Sequence, residues 1–219
     1  MKSLISSAMF SSLKYQDFRM TWISNMLSGC SYWTFSVGLS WLILHETGNS
    51  TNVGLVIFAS MLPFLLVSPF AGYISDKYDR KSLAFLMYLF NSLFCFILLI
   101  FSLLNYYPLF LIISIAFILG VFRTIQEPTV SSLIPNQVPK ENLLNAITLN
   151  AATRHGSRFF GLLIGTPFIG LNILNGGQFL LLFSFLFQII STYFIFKIKT
   201  KSVGESSSDE GIFSSIFKG

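Results

Sequence analysis

The sequence predicts an all-α integral membrane protein with six transmembrane helices, and three observations lead to this prediction. Hydrophobic residues make up 53% of the 219 residues and charged residues only 11%, whereas about 25% are charged in ordinary soluble domains. The apolar residues fall in six runs, each near the roughly 20 residues that a helix needs to cross a bilayer. Lysines and arginines cluster in alternate connections between these runs. A soluble enzyme, a disordered chain and a nucleic-acid-binding protein all fit this composition poorly.

Each apolar run is bounded by residues typical of turns, such as the segment 46–52 and the segment 134–141. The fourth and fifth runs are the least regular because both contain charges. The predicted organisation is a cytoplasmic segment 1–17, a six-helix transmembrane domain 18–197 and a cytoplasmic linker 198–219. The six runs are Trp22–Leu44, Val53–Ile74, Leu83–Leu104, Leu109–Leu133, Leu143–Leu174 and Phe179–Phe196.

The distribution of cations predicts the orientation. With six crossings, eleven of the fourteen lysines and arginines fall on one side of the membrane: Lys2, Lys14, Arg19, Lys77, Arg80, Lys81, Lys140, Lys197, Lys199, Lys201 and Lys218. Cytoplasmic loops carry such an excess, so both termini are predicted to be cytoplasmic, with the chain in the cell (inner) membrane. The remaining three, Arg123, Arg154 and Arg158, lie within predicted spans.

The connection after the second run, residues 72–81, is called the charged turn below. Asp76 near a helix C-terminus meets an unfavourable helix dipole, and Arg80 lies four residues further on, where it can pair with it. Gly72 would let this helix end approach a neighbour closely. By spacing alone, the turn is explained equally well as an anchor that fixes orientation at the membrane surface.

The charged turn resembles motif A of the Major Facilitator Superfamily, with Asp79 where the pattern usually has Gly. Segments 41–50, 62–72 and 132–146 resemble its branch of drug, macrolide and siderophore exporters, and the likeness covers about residues 15–197. The resemblance implies an amino-terminal half of the fold, built from two three-helix repeats. It also implies a cytoplasmic gate formed by Gly72, Asp76, Lys77, Asp79, Arg80 and Lys81.

Polar residues recur at helical spacing along the first run: Asn25, Ser28, Tyr32 and Ser36. They make one stripe, which predicts either helix–helix packing through small and hydroxyl side chains or the wall of a cavity. The resemblance favours the cavity, because the first and fourth helices of the superfamily line its central pathway. Many members of the branch have an acidic residue near Tyr32, and this sequence has none.

Arg123 and Glu127 in the fourth run are four residues apart, so one helical turn can pair them. Intramembrane charges usually face protein or water and often mark a pathway. Arg123 and Gln126 resemble the R-x-x-Q of the superfamily's motif B, which has been linked to proton transfer. Arg123 and Glu127, with Gln126 near the same face, are therefore candidates for proton coupling. The alternative is that Arg123 and Glu127 form a structural ion pair near the cytoplasmic mouth.

Arg154 and Arg158 lie well inside the fifth run, about 18 Å from its start for Arg154. Two cations with few nearby anions predict a positive cavity wall suited to an anionic or amphipathic solute. The alternative is pairing with Glu127 and backbone carbonyls.

Further on, Gly161, Gly165, Pro167 and Gly170 resemble the exporter element called motif C, although Leu162 and Thr166 replace its usual Pro and Gly. Packing alone also explains these glycines, and Pro167 would kink the helix.

The resemblance implies secondary active transport by alternating access, as proton-coupled efflux of a drug-like, amphipathic or anionic small solute. The alternative is a non-transporting membrane scaffold or accessory subunit. An enzyme is not expected, nor a cofactor, a metal site or a nucleic-acid partner, because His45 and His155 are far apart and no nucleophile has a base. The expected partners are the lipid bilayer, the solute, and a second six-helix half or a homodimer partner, since this chain looks like a truncated or half-length transporter. Ile212, Phe213, Ile216 and Phe217 form a short amphipathic patch after a polar linker.

Overall fold

The computed structural model describes residues 10–167, 176–200 and 202, and within these ranges every regular element is a helix. The all-α class is therefore confirmed. The amphipathic patch and residues 1–9 lie outside the described residues. Six long helices follow one another: α1 Gln16–Thr47, α2 Ser50–Lys77, α3 Arg80–Leu103, α4 Leu109–Leu133, α5 Lys140–Gly165 and α6 Gly176–Phe196. Two short 3-10 turns, Ser11–Lys14 and Ile134–Asn136, precede α1 and α5.

Local chemistry explains where α1 ends and where α2 and α3 begin. Gly48 ends α1 in the left-handed conformation, at φ 61°, which glycine adopts without steric cost. The Asn49 side chain accepts a hydrogen bond from the Thr51 amide at 2.9 Å and caps α2. Asp79 caps α3 in the same way, at 2.9 Å from the Ser82 amide.

The helices pack in a pattern that repeats within the chain. α1 packs most extensively against α6, α2 against α4, α5 against α1, and α3 against both α4 and α6. Exchanging the first three helices with the last three converts the α1–α6 contact into α4–α3, and the α2–α4 contact into α5–α1. This correspondence is the one expected for two three-helix repeats.

The main apolar core lies between α1, α3, α4 and α6, around Leu42, Leu98 and Ala116. α2 is the least covered helix, and Phe64 and Leu65 on it are 63% and 75% exposed. α3 and α6 each present one exposed apolar face and bury the other within the bundle.

Four of the described helices are long and apolar enough to cross a membrane: α2, α3, α4 with its 3-10 extension, and α6. α1 and α5 contain more polar residues and do not meet that measure. Their 32 and 26 residues still span about 48 and 39 Å, more than the roughly 30 Å hydrocarbon core. The fourth run meets this measure although it contains Arg123 and Glu127.

The structure corrects three details of the sequence analysis. α5 ends at Gly165, well before the predicted limit at Leu174, and Gly170 lies outside the described residues. Pro167 falls two residues after this end, in a 3-10 turn, so it does not kink α5. A Cβ atom at Gly72 would meet nothing within 4 Å, so close packing against the described residues does not explain this glycine.

Candidate functional site

The charged side chains predicted within the fourth and fifth runs meet in one cluster between α4 and α5. Glu127 lies between two arginines, with its carboxylate 3.4 Å from Arg123 Nη2 and 3.8 Å from Arg154 Nη1. The Arg123 and Glu127 side chains are 25% and 29% exposed, and Arg154 is 50% exposed. Spacing along α4 makes the first pair possible, and the α5 position of Arg154 adds the second.

Two neighbouring aromatic rings of α1 contact Arg123 and a third arginine, Arg158 of α5. The Arg123 guanidinium lies over the Tyr32 ring, 3.9 Å from its centroid. The Arg158 guanidinium lies over the Trp33 ring at 3.8 Å. The two rings contact each other edge to face, with 5.3 Å between centroids. Such cation–π contacts stabilise guanidinium groups most when they are partly removed from water.

Gln126 turns away from this cluster into the bundle interior. Its amide nitrogen donates to the Ser28 hydroxyl at 3.1 Å, and its oxygen accepts from the Asn91 amide at 3.0 Å. All three side chains are buried. Because buried amides are costly without partners, this network fixes the rotation of α4, and with it the direction in which Arg123 and Glu127 point.

All four residues of the polar stripe on α1 line small pockets, and Asn25 and Ser28 also make contacts between helices. Asn25 donates to Asn150 Oδ1 on α5 at 2.6 Å, and Ser28 joins the Gln126 network, so both lie at helix–helix contacts. Tyr32 and Ser36 both line one small pocket between α1 and α2. Which of these residues line a transport pathway stays a prediction.

A pocket of about 150 Å³ lies beside the charged cluster. Met61 and Phe64 of α2 form an apolar wall, and Tyr32, Arg123 and Glu127 bring polar groups to the same space. An apolar wall with a few converging polar groups is the usual lining of a small-molecule site, but the volume of this pocket is below the roughly 300 Å³ at which such sites begin.

α1 and α5 approach closely beside the cluster. A Cβ atom at Gly161 would lie 2.8 Å from the Cys30 carbonyl oxygen and 3.3 Å from Trp33 Cβ. A Cβ atom at Gly29 would collide with the Ser157 side chain. Gly161 is therefore a packing glycine, which brings Trp33 close to Arg158, while the surroundings of Gly165 lie outside the described residues.

The charged turn joins four parts of the chain at one end of the bundle. Arg80 donates to Asp76 at 2.9 Å, to the Ser132 carbonyl at the end of α4 at 3.2 Å and to the Ser202 hydroxyl at 3.2 Å. The Ser202 amide donates to Asp79 at 3.1 Å. The turn thus fastens α2 and α3 to the end of α4 and to the segment after α6.

The other two cations of the turn make fewer contacts. Lys77 lies over the Tyr73 ring at 5.6 Å, and Lys81 is half-buried. The gate role of the turn's residues stays a prediction. An anchor that only fixes orientation would not require the contact with Ser132, which crosses from one three-helix repeat to the other.

Sequence reasoning missed several partners in this site. Trp33, Asn91 and Asn150 each hold a predicted residue, and Ser202 holds the charged turn. Asn91 gave a detectable signal, because it is a lone amide in an otherwise apolar run. Trp33 gave none, since an aromatic residue beside Tyr32 is unremarkable in a membrane helix.

Comparisons with known proteins agree with this architecture. Residues 7–219 match the family described as transmembrane secretion effector. The chain is also similar to the staphyloferrin A transporter of Staphylococcus aureus, with 26% identity over 132 residues. That alignment covers 58% of this chain but only 32% of the relative, so the chain matches about a third of the relative's length.

The family match extends over nearly the whole sequence, and the resemblance seen in the charged turn is confirmed by it. Apolar helices of membrane-spanning length and membership of a transporter family together make this a multi-pass membrane protein and not an enzyme. The chain belongs to the Major Facilitator Superfamily, in the family of transmembrane secretion effectors.

Proposed function

We propose that the chain forms a six-helix half of a secondary transporter that moves a drug-like, amphipathic or anionic small solute out of the cell by alternating access. The single observation that carries this proposal is the Arg123–Glu127–Arg154 cluster, half-exposed beside a pocket inside a membrane bundle. Ionisable groups at such depth are costly and usually mark a solute or proton pathway. The family's description as secretion effectors supports the outward direction.

All six long helices cross the membrane in this proposal, including the more polar α1 and α5. Their polar faces meet each other, as in the Asn25–Asn150 hydrogen bond, or face the pocket. Polar groups that are paired within the bundle do not have to face lipid, so a helix with few apolar residues can still cross. The termini are then cytoplasmic in the inner membrane, as the distribution of cations predicts.

Alternating access needs a second wall opposite this bundle. A second six-helix half or a second copy of the chain would supply it and would cover the exposed face of α2. The charged turn would then act as the cytoplasmic gate. Arg80 binds both Asp76 and the end of α4, so movement of one three-helix repeat is transmitted to the other through this residue.

Glu127 is the proposed proton-coupling group, because it is the carboxylate of the cluster and it lines the pocket. Glu127→Gln keeps the size of the side chain but removes its charge, so we expect it to abolish proton-coupled transport while the protein reaches the membrane normally. Glu141→Gln, an exposed carboxylate at the start of α5, is the matched control and should leave transport unchanged.

The test follows export from inverted vesicles with an imposed pH gradient, with staphyloferrin A, the solute named for the relative, as the first probe. The chain is assayed alone and co-expressed with the carboxyl-terminal half of the Staphylococcus aureus relative. Transport by either form that is lost in Glu127→Gln supports the proposal. No transport by both forms at normal membrane levels would refute it and favour a non-transporting scaffold or accessory subunit.

A further inference from the structure

Six side chains from α1, α4 and α5 form one connected basic ring on the same side of the bundle. Glu127 contacts Arg123 and Arg154, Arg123 stacks on Tyr32, and Tyr32 contacts Trp33, on which Arg158 stacks. Arg154 and Arg158 are the two ends of this series of contacts and lie one helical turn apart on α5. The members of the basic ring are Tyr32, Trp33, Arg123, Glu127, Arg154 and Arg158.

Charge is not balanced within the basic ring, which contains three guanidinium groups and one carboxylate. Glu127 lies closer to Arg123, at 3.4 Å, than to Arg154, at 3.8 Å. Across residues 10–167, 176–200 and 202, no acidic side chain lies within salt-bridge distance of Arg158, whose contact is the Trp33 ring. The ring therefore carries a formal charge of +2, and most of the excess is on α5.

The two α5 arginines are also the more accessible ones. Arg154 and Arg158 are exposed, whereas Arg123 and Glu127 are only partly so. Like charges one helical turn apart repel each other, and an anion between them would remove that repulsion. Stacking on Trp33 already restricts the Arg158 guanidinium, so less freedom is lost when it binds.

We propose that Arg154 and Arg158 bind an acidic group of the transported solute, and that this solute is an organic anion with at least two carboxylates. Two negative charges match the excess of the basic ring, and the planar guanidinium group matches a carboxylate in a two-bond geometry. This inference rests on the proposed transport function and names the solute class for the same site.

Glu127 acts as an internal competitor in this arrangement. Its carboxylate lies 3.8 Å from Arg154 Nη1, a distance that is long for an ion pair. A solute carboxylate must displace it and is also repelled by it. Removing the charge of Glu127 therefore strengthens anion binding, whereas removing either α5 arginine weakens it.

The experiment measures binding of tricarballylate, a simple tricarboxylate, to the purified chain in nanodiscs of neutral lipid, with its uncharged triamide as the control ligand. We expect Arg154→Gln and Arg158→Gln each to weaken binding roughly tenfold or more, and Glu127→Gln to strengthen it by about threefold or more. Lys140 is an exposed cation at the first residue of α5, and Lys140→Gln should bind tricarballylate as the unaltered chain does. Arg158→Lys keeps the charge without the planar fork and should bind at an intermediate level.

Several results would overturn the inference. They are equal binding of tricarballylate and its triamide, unchanged binding in both Arg154→Gln and Arg158→Gln, or weaker binding in Glu127→Gln. Arg154 and Arg158 could instead hold anionic lipid headgroups. Nanodiscs with phosphatidylglycerol test this alternative. The solute site is refuted if tricarballylate binds in neither kind of nanodisc and if retention of phosphatidylglycerol requires both Arg154 and Arg158.

Failure of this inference can be distinguished from failure of the proposed function, because binding is measured without transport. Binding with the expected variant pattern but no export would overturn the transport proposal alone. Export that continues at the normal rate in both Arg154→Gln and Arg158→Gln would overturn the anion site alone.

Discussion

Replacing Gly161 by alanine tests how closely α1 and α5 must approach to build the site. The added Cβ would lie 2.8 Å from the Cys30 carbonyl oxygen and 3.1 Å from Cys30 Cα. The first distance is about 0.6 Å short of the 3.4 Å at which ordinary contact begins. Both atoms belong to a helix backbone, which cannot rotate away as a side chain can. Overpacking of this kind costs about 1–3 kcal/mol, offset in part by the better helix propensity of alanine, about 1 kcal/mol.

Gly156→Ala provides a matched control on the same helix, since a Cβ there meets nothing within 4 Å. We expect Gly156→Ala to be neutral or stabilising, and the two variants to differ by about 1–3 kcal/mol in the free energy of unfolding. Reversible unfolding in mixed detergent micelles, followed by tryptophan fluorescence, measures this difference. Equal stability of the two variants would refute the close contact between α1 and α5.

The remaining predictions concern the interior amide network and the charged turn. Asn91→Leu leaves the Gln126 oxygen buried without its donor and should destabilise the chain by about 1–3 kcal/mol. In the same unfolding assay, the double variant with Gln126→Leu should recover part of this loss. Strictly additive effects of the two substitutions would contradict the network. Arg80→Lys keeps the charge but cannot reach Asp76 and the Ser132 carbonyl together, so transport should fall at unchanged membrane levels, and normal transport would show that the cross-repeat contact is dispensable.

The helices could be predicted from the sequence because burial in lipid imposes one requirement on every span. Apolar runs of sufficient length therefore predicted the position of all six helices, although not the end of the fifth. The Arg123–Glu127 pair was also predictable, since four residues make one turn of a single helix and no second element is involved.

Contacts between helices were less predictable, because they depend on the rotation and the neighbours of each helix. The sequence did not indicate that Asn25 meets Asn150 or that Arg158 meets Trp33. The glycines show the same limit. Gly161 and Gly72 look alike in the sequence, yet only Gly161 has a neighbouring backbone that excludes a side chain.

The central claim is that all six helices cross the membrane and that the charged turn lies on the cytoplasmic side. Single cysteines at exposed positions test it, after Cys30→Ser and Cys95→Ser remove the two native thiols, which are buried. A membrane-impermeant maleimide is applied to intact cells and then to permeabilised cells. The positions are Phe10, Thr51, Tyr78, Tyr106, Lys140 and Thr166, which flank the helices in turn and are all exposed.

We expect cysteines at 51, 106 and 166 to react in intact cells, and those at 10, 78 and 140 only after permeabilisation. Position 166 is the most informative, because it tests whether the polar helix α5 crosses at all. Labelling of position 78 in intact cells would place the charged turn outside and contradict the orientation. Labelling of position 166 only after permeabilisation would show that α5 does not cross the membrane, and the transport pathway built on it would be wrong.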